Sequence, residues 1–233
     1  MAAELTPNAL VLLKQRYLLK DSKGRVTETP EQMFRRVAKA VSKAEGRDAR
    51  KFEEEFFGMM SSLEWLPNSP TMFNAGTSLG QLSACFVLPI NDSLASIFDA
   101  VKNTAIIEQS GGGVGLSFSK VRPEGSMVQS SKGTASGPVS FMRVFDTVTG
   151  VINAGGKRRG AMMGVLDVDH PDIMGFISSK ETGNVLSNFN ISVAVTDSFM
   201  GKARKGNRKV WKAIVKAAWK GGDPGLLFID EIN

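Results

Sequence analysis

The spacing of apolar residues along the chain changes near residue 67. Before it, apolar positions recur every three or four residues, a period typical of amphipathic helices. Helices are predicted over residues 8–20, from the cap Thr29-Pro30-Glu31 onward, and over residues 52–63. We therefore expect a helical N-terminal domain over residues 1–66.

Beyond residue 67, short β-branched and apolar runs alternate with helical segments. Strands are predicted at residues 82–90, 114–118, 162–168, 188–195 and 226–229. Helices are predicted at residues 93–110, 139–150, 171–179 and 207–219, the first of them capped by Asp92 or Ser93. This alternation favours an α/β domain with mostly parallel strands over residues 67–233.

The composition argues against several classes of protein. The chain of 233 residues is 42% hydrophobic and 22% charged, which is ordinary for a globular protein. No apolar run approaches the roughly 20 residues that cross a bilayer, and no secretory signal is visible. One cysteine and one histidine provide neither an internal disulfide nor a cluster with metal-ligand spacing. We expect a cytoplasmic protein without a membrane partner or a bound metal, in which His170 is a loop or helix-start residue.

The net charge of +6 comes from one segment. Residues 200–220 hold eight basic residues and no acid, and the rest of the chain holds 21 basic and 23 acidic residues. Val210, Trp211, Ile214, Val215 and Ala218 recur there at helical spacing. We therefore predict a helix with a solvated basic face. The alternative is a patch that contacts phosphates, but a nucleic-acid partner is not expected.

Three segments could carry chemistry. Cys85 lies in an apolar run, so we expect it to be buried, and a lone buried cysteine is usually inert packing. The cluster Gly111–Gly115 indicates a sharp turn or a close approach of the backbone to another group. The loop 155–160 places three cations between glycines, which suits either a solvated turn or a mobile positive loop. These cations are Lys157, Arg158 and Arg159.

The order of these motifs resembles ribonucleotide reductase, most closely its adenosylcobalamin-dependent (class II) form. The motifs that carry the resemblance are Pro67-Asn68-Ser69-Pro70-Thr71, Leu82-Ser83-Ala84-Cys85, the glycine cluster, Gly156-Lys157-Arg158-Arg159-Gly160-Ala161 and Asn188-Phe189-Asn190-Ile191-Ser192. The resemblance implies a helical N-terminal domain followed by the first half of a ten-stranded α/β barrel. It also implies conversion of ribonucleotides to 2′-deoxyribonucleotides, by thiyl-radical chemistry, for DNA synthesis.

The resemblance also implies roles for single residues at a substrate site. Cys85 would be one of two thiols that reduce the ribose, and two thiols supply two electrons and two protons when they form a disulfide. Ser69 would lie near the substrate phosphates. Ala84 would join Cys85 at the ribose, and the backbone of Gly113 would line the same pocket.

A second set of residues resembles an effector site for a deoxynucleotide or ATP at a dimer interface. Its members are Asp92, Ser93, Leu94 and Arg122. The segment 130–138 resembles a loop that faces the effector. Lys157, Arg158 and Arg159 match the specificity loop that links the effector site to the substrate site.

Several expected parts of the family are absent from this sequence. The Asn-x-Cys-x-Glu loop, the second redox cysteine and the C-terminal shuttle cysteines are missing, as are most of the expected cobalamin contacts. We therefore expect the N-terminal part of a reductase, inactive without its C-terminal half, through which thioredoxin or glutaredoxin would act. The alternative is a non-catalytic nucleotide-binding module that retains the effector site.

Overall fold

The computed structural model describes residues 4–129, 132–152, 160–181, 185–205 and 209–232. Contacts group them into a first unit, residues 4–84 with 109–112, and a second unit that contains the others. The domain boundary predicted at residue 67 stays a prediction. Within the described ranges, no helix is long and apolar enough to cross a membrane.

The first unit is helical. Its elements are α1 (Pro7–Leu12), a π-helical turn (Leu13–Tyr17), α2 (Pro30–Ser42), a 3-10 segment (Lys43–Asp48), α3 (Ala49–Ser61) and α4 (Ser69–Asn74). The predicted start of α2 is confirmed, because Thr29 and Gln32 cap it reciprocally and Pro30 opens the first turn. Helix α4 was not predicted from the apolar pattern.

The core of the first unit joins α2, α3 and α4 to the segment after the π-helical turn. Its buried members are Leu18, Met33, Phe34, Val37, Ala38, Met60, Met72 and Ala75. An almost buried ion pair supports this core, since the Arg36 guanidinium binds both carboxylate oxygens of Glu28 at 3.0 and 2.7 Å. Arg36 also donates to the carbonyls of Met72 and Ala75, which ties α2 to the end of α4.

The second unit is a parallel sheet with helical crossovers. Its elements are β1 (Cys85–Leu88), α5 (Leu94–Gln109), β2 (Gly113–Ser117), α6 (Gly137–Val151), β3 (Met162–Asp167), α7 (Ile173–Ser178), β4 (Phe189–Val195), α8 (Asp197–Lys205), α9 (Lys209–Gly221), β5 (Gly225–Phe228) and α10 (Ile229–Ile232). The strands stand in the order β1-β2-β3-β4-β5, and every neighbouring pair is parallel. The predicted helical region followed by a parallel α/β fold is confirmed.

Burial on both faces of the sheet explains this fold. Six of the seven residues of β4 are buried, as expected of a central parallel strand that helices cover on both faces. The Phe118 ring packs edge-to-face on Phe145 and Phe189, with centroids 5.6 and 6.3 Å apart. These rings form the centre of the core of the second unit.

The first strand is shorter than the predicted run of residues 82–90. The Thr71 hydroxyl donates to the carbonyl of Leu82 at 2.7 Å, and the Asn74 amide donates to the carbonyl of Gln81 at 3.0 Å. Backbone at residues 81 and 82 therefore bonds to α4 instead of a strand. At the other end Pro89 follows the last strand residue, and a proline cannot donate to a sheet ladder.

Candidate functional site

The structure brings Cys85 and Gly113 together on adjacent parallel strands. Cys85 begins β1, and its register partner on β2 is Gly113. Registered residues on parallel strands point to the same face, with backbones about 4.8 Å apart. The thiol therefore stands beside backbone without a side chain.

The prediction that Cys85 is buried is wrong, because the thiol is exposed. β1 is an outer strand of the five-stranded sheet. On the face of Cys85 and Val87, the registered neighbours on β2 are Gly113 and Gly115. Glycine offers no side chain to cover a neighbour, so the sheet leaves the thiol open to reaction.

The turn before β2 explains the first glycine of the cluster. Gly111 has a φ of +92°, which side chains other than hydrogen rarely tolerate. A Cβ there would lie 2.7 Å from the Phe73 ring, so both explanations predicted for the cluster apply at this residue. The Asn74 amide also donates to the carbonyl of Ser110 at 3.0 Å, which fixes the turn from α4.

Ser69 and Ala84 lie in the first unit. Ser69 is the first residue of α4, directly after the cap Asn68, whose side chain accepts from the backbone N–H of Thr71 at 2.9 Å. The Ser69 hydroxyl is half-buried and lies 3.1 Å from the Tyr17 hydroxyl. Ala84 is half-buried and directly precedes β1.

Asp92 and Arg122 form an ion pair in the second unit, although they are 30 positions apart in sequence. The Nε of Arg122 donates to one carboxylate oxygen of Asp92 at 2.8 Å, and its backbone N–H donates to the other at 3.1 Å. Ser93 caps α5, because its hydroxyl accepts from the backbone N–H of Ser96 at 3.2 Å. Of the two predicted caps, the structure therefore selects Ser93 and leaves the Asp92 carboxylate to Arg122.

All four predicted effector residues line one cavity of about 490 Å³. The lining residues are Asp92, Ser93, Leu94, Ile97, Val121, Arg122, Val128, Thr134, Ala135, Ser136 and Phe141. This volume is within the range of small-molecule sites, and an apolar wall with a few charged and hydroxyl groups is typical of them. One cation, one carboxylate and several hydroxyls can bind the phosphate, ribose and base of a nucleotide.

Sequence reasoning placed the segment 130–138 near this cavity but did not name its lining residues. Met127 and Thr134 form an antiparallel bridge, and the backbone N–H of Val128 donates to the carbonyl of Gly133 at 2.8 Å. These backbone contacts place Val128 and Thr134 at the cavity. The glycines Gly125 and Gly133 are the sequence signal for this segment.

The predicted specificity loop falls outside the described residues. Lys157, Arg158 and Arg159 belong to the undescribed segment 153–159, as Ser130 and Ser131 belong to another. Their assignment stays a prediction.

A buried carboxyl group, Glu108, was not singled out from the sequence. Its side chain is 0% exposed near the end of α5. The Thr149 hydroxyl donates to its Oε1 at 3.1 Å, and its Oε2 has no hydrogen-bond partner among the described residues. Burial raises the pKa of Glu108, and the bond from Thr149 opposes that rise only in part.

A Glu108→Gln variant should be more stable than the wild type, by a margin that grows with pH. Below the ordinary pKa of 4.5, Glu108 is protonated in both the folded and the unfolded chain. As pH rises above 4.5, the unfolded chain releases this proton first, so wild-type stability falls until the folded pKa is passed. Each unit by which the two pKa values differ is worth about 1.4 kcal/mol.

Thermal unfolding followed between pH 4.5 and 8 tests this prediction. The gap between the melting temperatures of Glu108→Gln and wild type should widen, by roughly 2–4 °C for each kcal/mol. The exposed Glu64→Gln serves as the control and should show a constant gap. A Glu108→Gln gap that does not change with pH would contradict the burial argument.

The described residues offer no imidazole side chain that is free to ligate the cobalt of a cobalamin. His170 is buried, its Nδ1 accepts from the backbone N–H of Asp172 at 3.1 Å, and its Nε2 therefore donates to the carbonyl of Val121 at 2.9 Å. Both imidazole nitrogens are thus engaged. Across the described ranges no group of three His, Cys, Asp or Glu side chains could hold a metal ion.

The helix predicted over residues 207–219 is α9 (Lys209–Gly221), whereas residues 200–205 of the basic segment belong to α8, which was not predicted. Ile214 and Ala217 are buried, whereas Lys212, Lys216 and Lys220 are exposed. Val215 was assigned to the apolar face but is 48% exposed. That assignment is wrong, because the buried strip of α9 is narrower than its apolar pattern.

Two family models match the chain. Residues 3–80 match the all-alpha domain of ribonucleotide reductase, and residues 83–209 match its barrel domain. Every residue predicted to bind substrate or effector lies within one of these two ranges.

Curated relatives agree with the family models. The chain is 44% identical over 308 aligned residues to a vitamin B12-dependent ribonucleoside-diphosphate reductase of Thermoplasma acidophilum, with 99% of the chain and 40% of the relative covered. It is 46% identical over 253 aligned residues to the reductase of the same name from Mycobacterium tuberculosis, with 99% and 37% covered. The chain thus spans about two fifths of the length of these relatives.

A solved structure has the same fold. The alpha subunit of the class Id ribonucleotide reductase of Actinobacillus ureae superposes with a TM-score of 0.82 at 24% identity, over 97% of this chain and 41% of that one. Fold, family models and relatives agree: the chain belongs to the ribonucleotide reductase family, as an N-terminal part of the large chain.

Proposed function

We propose that the chain contributes one reducing thiol to a ribonucleotide reductase that forms 2′-deoxyribonucleotides for DNA synthesis. The observation that carries this proposal is the exposed Cys85 thiol beside the bare backbone of Gly113. In the overall reaction two thiols become a disulfide, and the ribose C2′–OH becomes C2′–H with release of water. The two electrons come from the two sulfurs, so Cys85 needs a partner thiol that this chain of one cysteine does not carry.

Four residues of the two units would have roles at the ribonucleotide substrate. In the second unit Cys85 would protonate the departing 2′-hydroxyl while the Gly113 backbone lets the ribose approach the sheet closely. In the first unit Ser69 would donate its hydroxyl to a phosphate oxygen, and Ala84 would contact the ribose. A ribonucleoside diphosphate is the substrate class named for the relatives.

The cavity around Asp92 and Arg122 would hold a deoxynucleotide or ATP effector. Arg122 would pair with phosphate, Asp92 and the hydroxyls would accept or donate at ribose and base, and Ile97 and Phe141 would pack against the base. Its volume of about 490 Å³ supports a nucleotide-sized ligand. The predicted homodimer and the role of Lys157, Arg158 and Arg159 as a relay belong to this proposal.

The remaining partners belong to the complete enzyme. We call this chain, joined to the part that its relatives carry beyond it, the full-length reductase. Adenosylcobalamin would supply the radical, in keeping with the B12-dependent relatives, and its contacts would lie outside the described residues. Thioredoxin or glutaredoxin would reduce the disulfide again, in the cytoplasm.

Turnover by the full-length reductase tests the proposal. With adenosylcobalamin, a dithiol and a ribonucleoside diphosphate it should form deoxyribonucleotide, and a deoxynucleoside triphosphate should bind saturably. The 233-residue chain alone should form none. Failure of the full-length protein to form product under these conditions overturns the proposed reaction.

A non-catalytic nucleotide-binding module is the second candidate. It is favoured by the fact that the described lining residues of the Asp92–Arg122 cavity all lie in the second unit and do not include Cys85. Saturable effector binding without turnover in the full-length protein would select this candidate.

A further inference from the structure

Tyr17 stands at the end of an unusual helical turn. After α1, the backbone N–H of Leu18 donates to the carbonyl of Leu13 at 2.9 Å, a bond that spans five residues. Such π-helical turns are rare and occur often at functional sites. Leu18 then adopts an extended backbone and enters the core, so Tyr17 is the last helical side chain.

The Tyr17 side chain reaches the substrate-phosphate candidate of the first unit. Its ring packs against the Phe73 ring with centroids 6.1 Å apart, and its hydroxyl lies 3.1 Å from the Ser69 hydroxyl. Both side chains are half-buried, so Ser69 also remains accessible.

The rest of α4 is held by other bonds. Thr71 and Asn74 bond to the backbone of residues 81, 82 and 110, and Arg36 binds the carbonyls of Met72 and Ala75. These bonds hold the backbone of α4, so the remaining freedom of Ser69 is the rotation of its side chain and of its O–H bond. Among the described residues, Tyr17 provides the side chain that hydrogen-bonds to the Ser69 hydroxyl.

The chemistry of the two hydroxyls gives this contact a direction. A serine hydroxyl has one proton to donate and two lone pairs that accept. Either hydroxyl can donate in this contact. Because a phenol is a stronger donor than an alkyl alcohol, we take Tyr17 as the donor and the Ser69 oxygen as the acceptor. The Ser69 proton is then free to point at an acceptor such as a phosphate oxygen.

We propose that Tyr17 is a positioning residue that orients the Ser69 hydroxyl toward the substrate phosphates. The inference rests on the proposed function, because it takes Ser69 as a phosphate ligand. Tyr17 lies outside the motifs that carry the family resemblance. The sequence pattern predicts only a helix there and does not indicate the π-helical turn.

Phosphate-specific binding tests the inference in the full-length reductase. Tyr17→Phe keeps the ring on Phe73 and removes the hydroxyl. We expect KM for the ribonucleotide to rise about five- to tenfold with kcat unchanged. The reason is that the hydrogen bond from the Ser69 hydroxyl to the charged phosphate is oriented less well without the Tyr17 hydroxyl. Affinity for the matching ribonucleoside, which has no phosphate, should stay the same.

Two further variants separate orientation from structure. Ser69→Ala should lose the same phosphate-specific affinity, and adding Tyr17→Phe to it should cost nothing more. Phe73→Leu removes the ring contact but leaves the hydroxyl, so it should lower the melting temperature without a phosphate-specific loss. Binding of a deoxynucleotide effector should remain unchanged in Tyr17→Phe.

The possible results distinguish a failure of the proposed function from a failure of the inference about Tyr17. If the wild type binds nucleotide and nucleoside equally, the phosphate role of Ser69 in the proposed function fails, and the inference fails with it. If the wild type prefers the nucleotide and Tyr17→Phe keeps that preference, the inference alone is overturned. A loss of kcat, or an equal loss for nucleoside and nucleotide, also overturns it.

Discussion

We expect the Cys85→Ser variant of the full-length reductase to form deoxyribonucleotide at least about a thousandfold more slowly than the wild type. A serine oxygen cannot join a sulfur in a disulfide, so the variant lacks one of the two groups that supply electrons to the ribose. The exposed position next to Gly113 means that little else changes. An exposed substitution of similar size should alter stability by no more than about 0.5 kcal/mol.

Turnover, nucleotide binding and thermal unfolding should be measured together for this variant. Loss of turnover with unchanged binding and melting assigns the effect to chemistry. Because Cys85 is the single cysteine of the chain and is exposed, the folded 233-residue protein should also react with one equivalent of a thiol reagent without denaturant. Turnover that persists in Cys85→Ser would exclude Cys85 as a reducing thiol.

Of the variants proposed for this chain, Gly111→Ala should lose the most free energy of unfolding, about 2–5 kcal/mol. Two costs combine at this residue. The φ of +92° is unfavourable for any side chain by about 1–2 kcal/mol, and the new Cβ would lie 2.7 Å from the Phe73 ring. Phe73 is buried and packs against Tyr17, so overpacking adds about 1–3 kcal/mol.

Gly24→Ala is the matched control for this prediction. Gly24 has a φ of +78°, but a Cβ there would meet nothing within 4 Å. Denaturant unfolding should therefore show only the backbone cost in Gly24→Ala, and the difference between the two variants measures the contact with Phe73. Equal losses in both variants would show that the Phe73 ring moves aside without a measurable loss of stability. Adding Phe73→Leu to Gly111→Ala should recover part of the loss through coupling.

The fold could be predicted in outline because its signals are local. Two examples are the capping pattern at Thr29 and Gln32 and the apolar runs of β3 and β4. Each involves residues that are close together in sequence. Helix α4 was missed because Ser-Pro-Thr-Met-Phe-Asn is short, and its interior is buried on all sides instead of along one stripe. Its bonds to residues 81 and 82 also shortened β1.

The candidate site was only partly predictable, for the same reason. The resemblance to the family named Cys85, Asp92 and Arg122, but the exposure of the thiol depends on which residues of β2 stand in register with β1. The pairing of Asp92 with Arg122 crosses 30 positions of sequence. Val128 and Thr134 line the cavity from the segment between β2 and α6, and Glu108 lies against Thr149 of α6 and Gly160.

The sequence by itself determined the family, the helical and α/β parts, and the residue types available for chemistry. These follow from periodicity, caps and motifs, each of which acts over a few residues. Only the tertiary structure decided that the thiol is open, that Ser93 rather than Asp92 caps α5, that Glu108 carries an unpartnered oxygen among the described residues and that Tyr17 meets Ser69. Each of these depends on strand register or on packing between distant segments, and no short stretch of sequence encodes it.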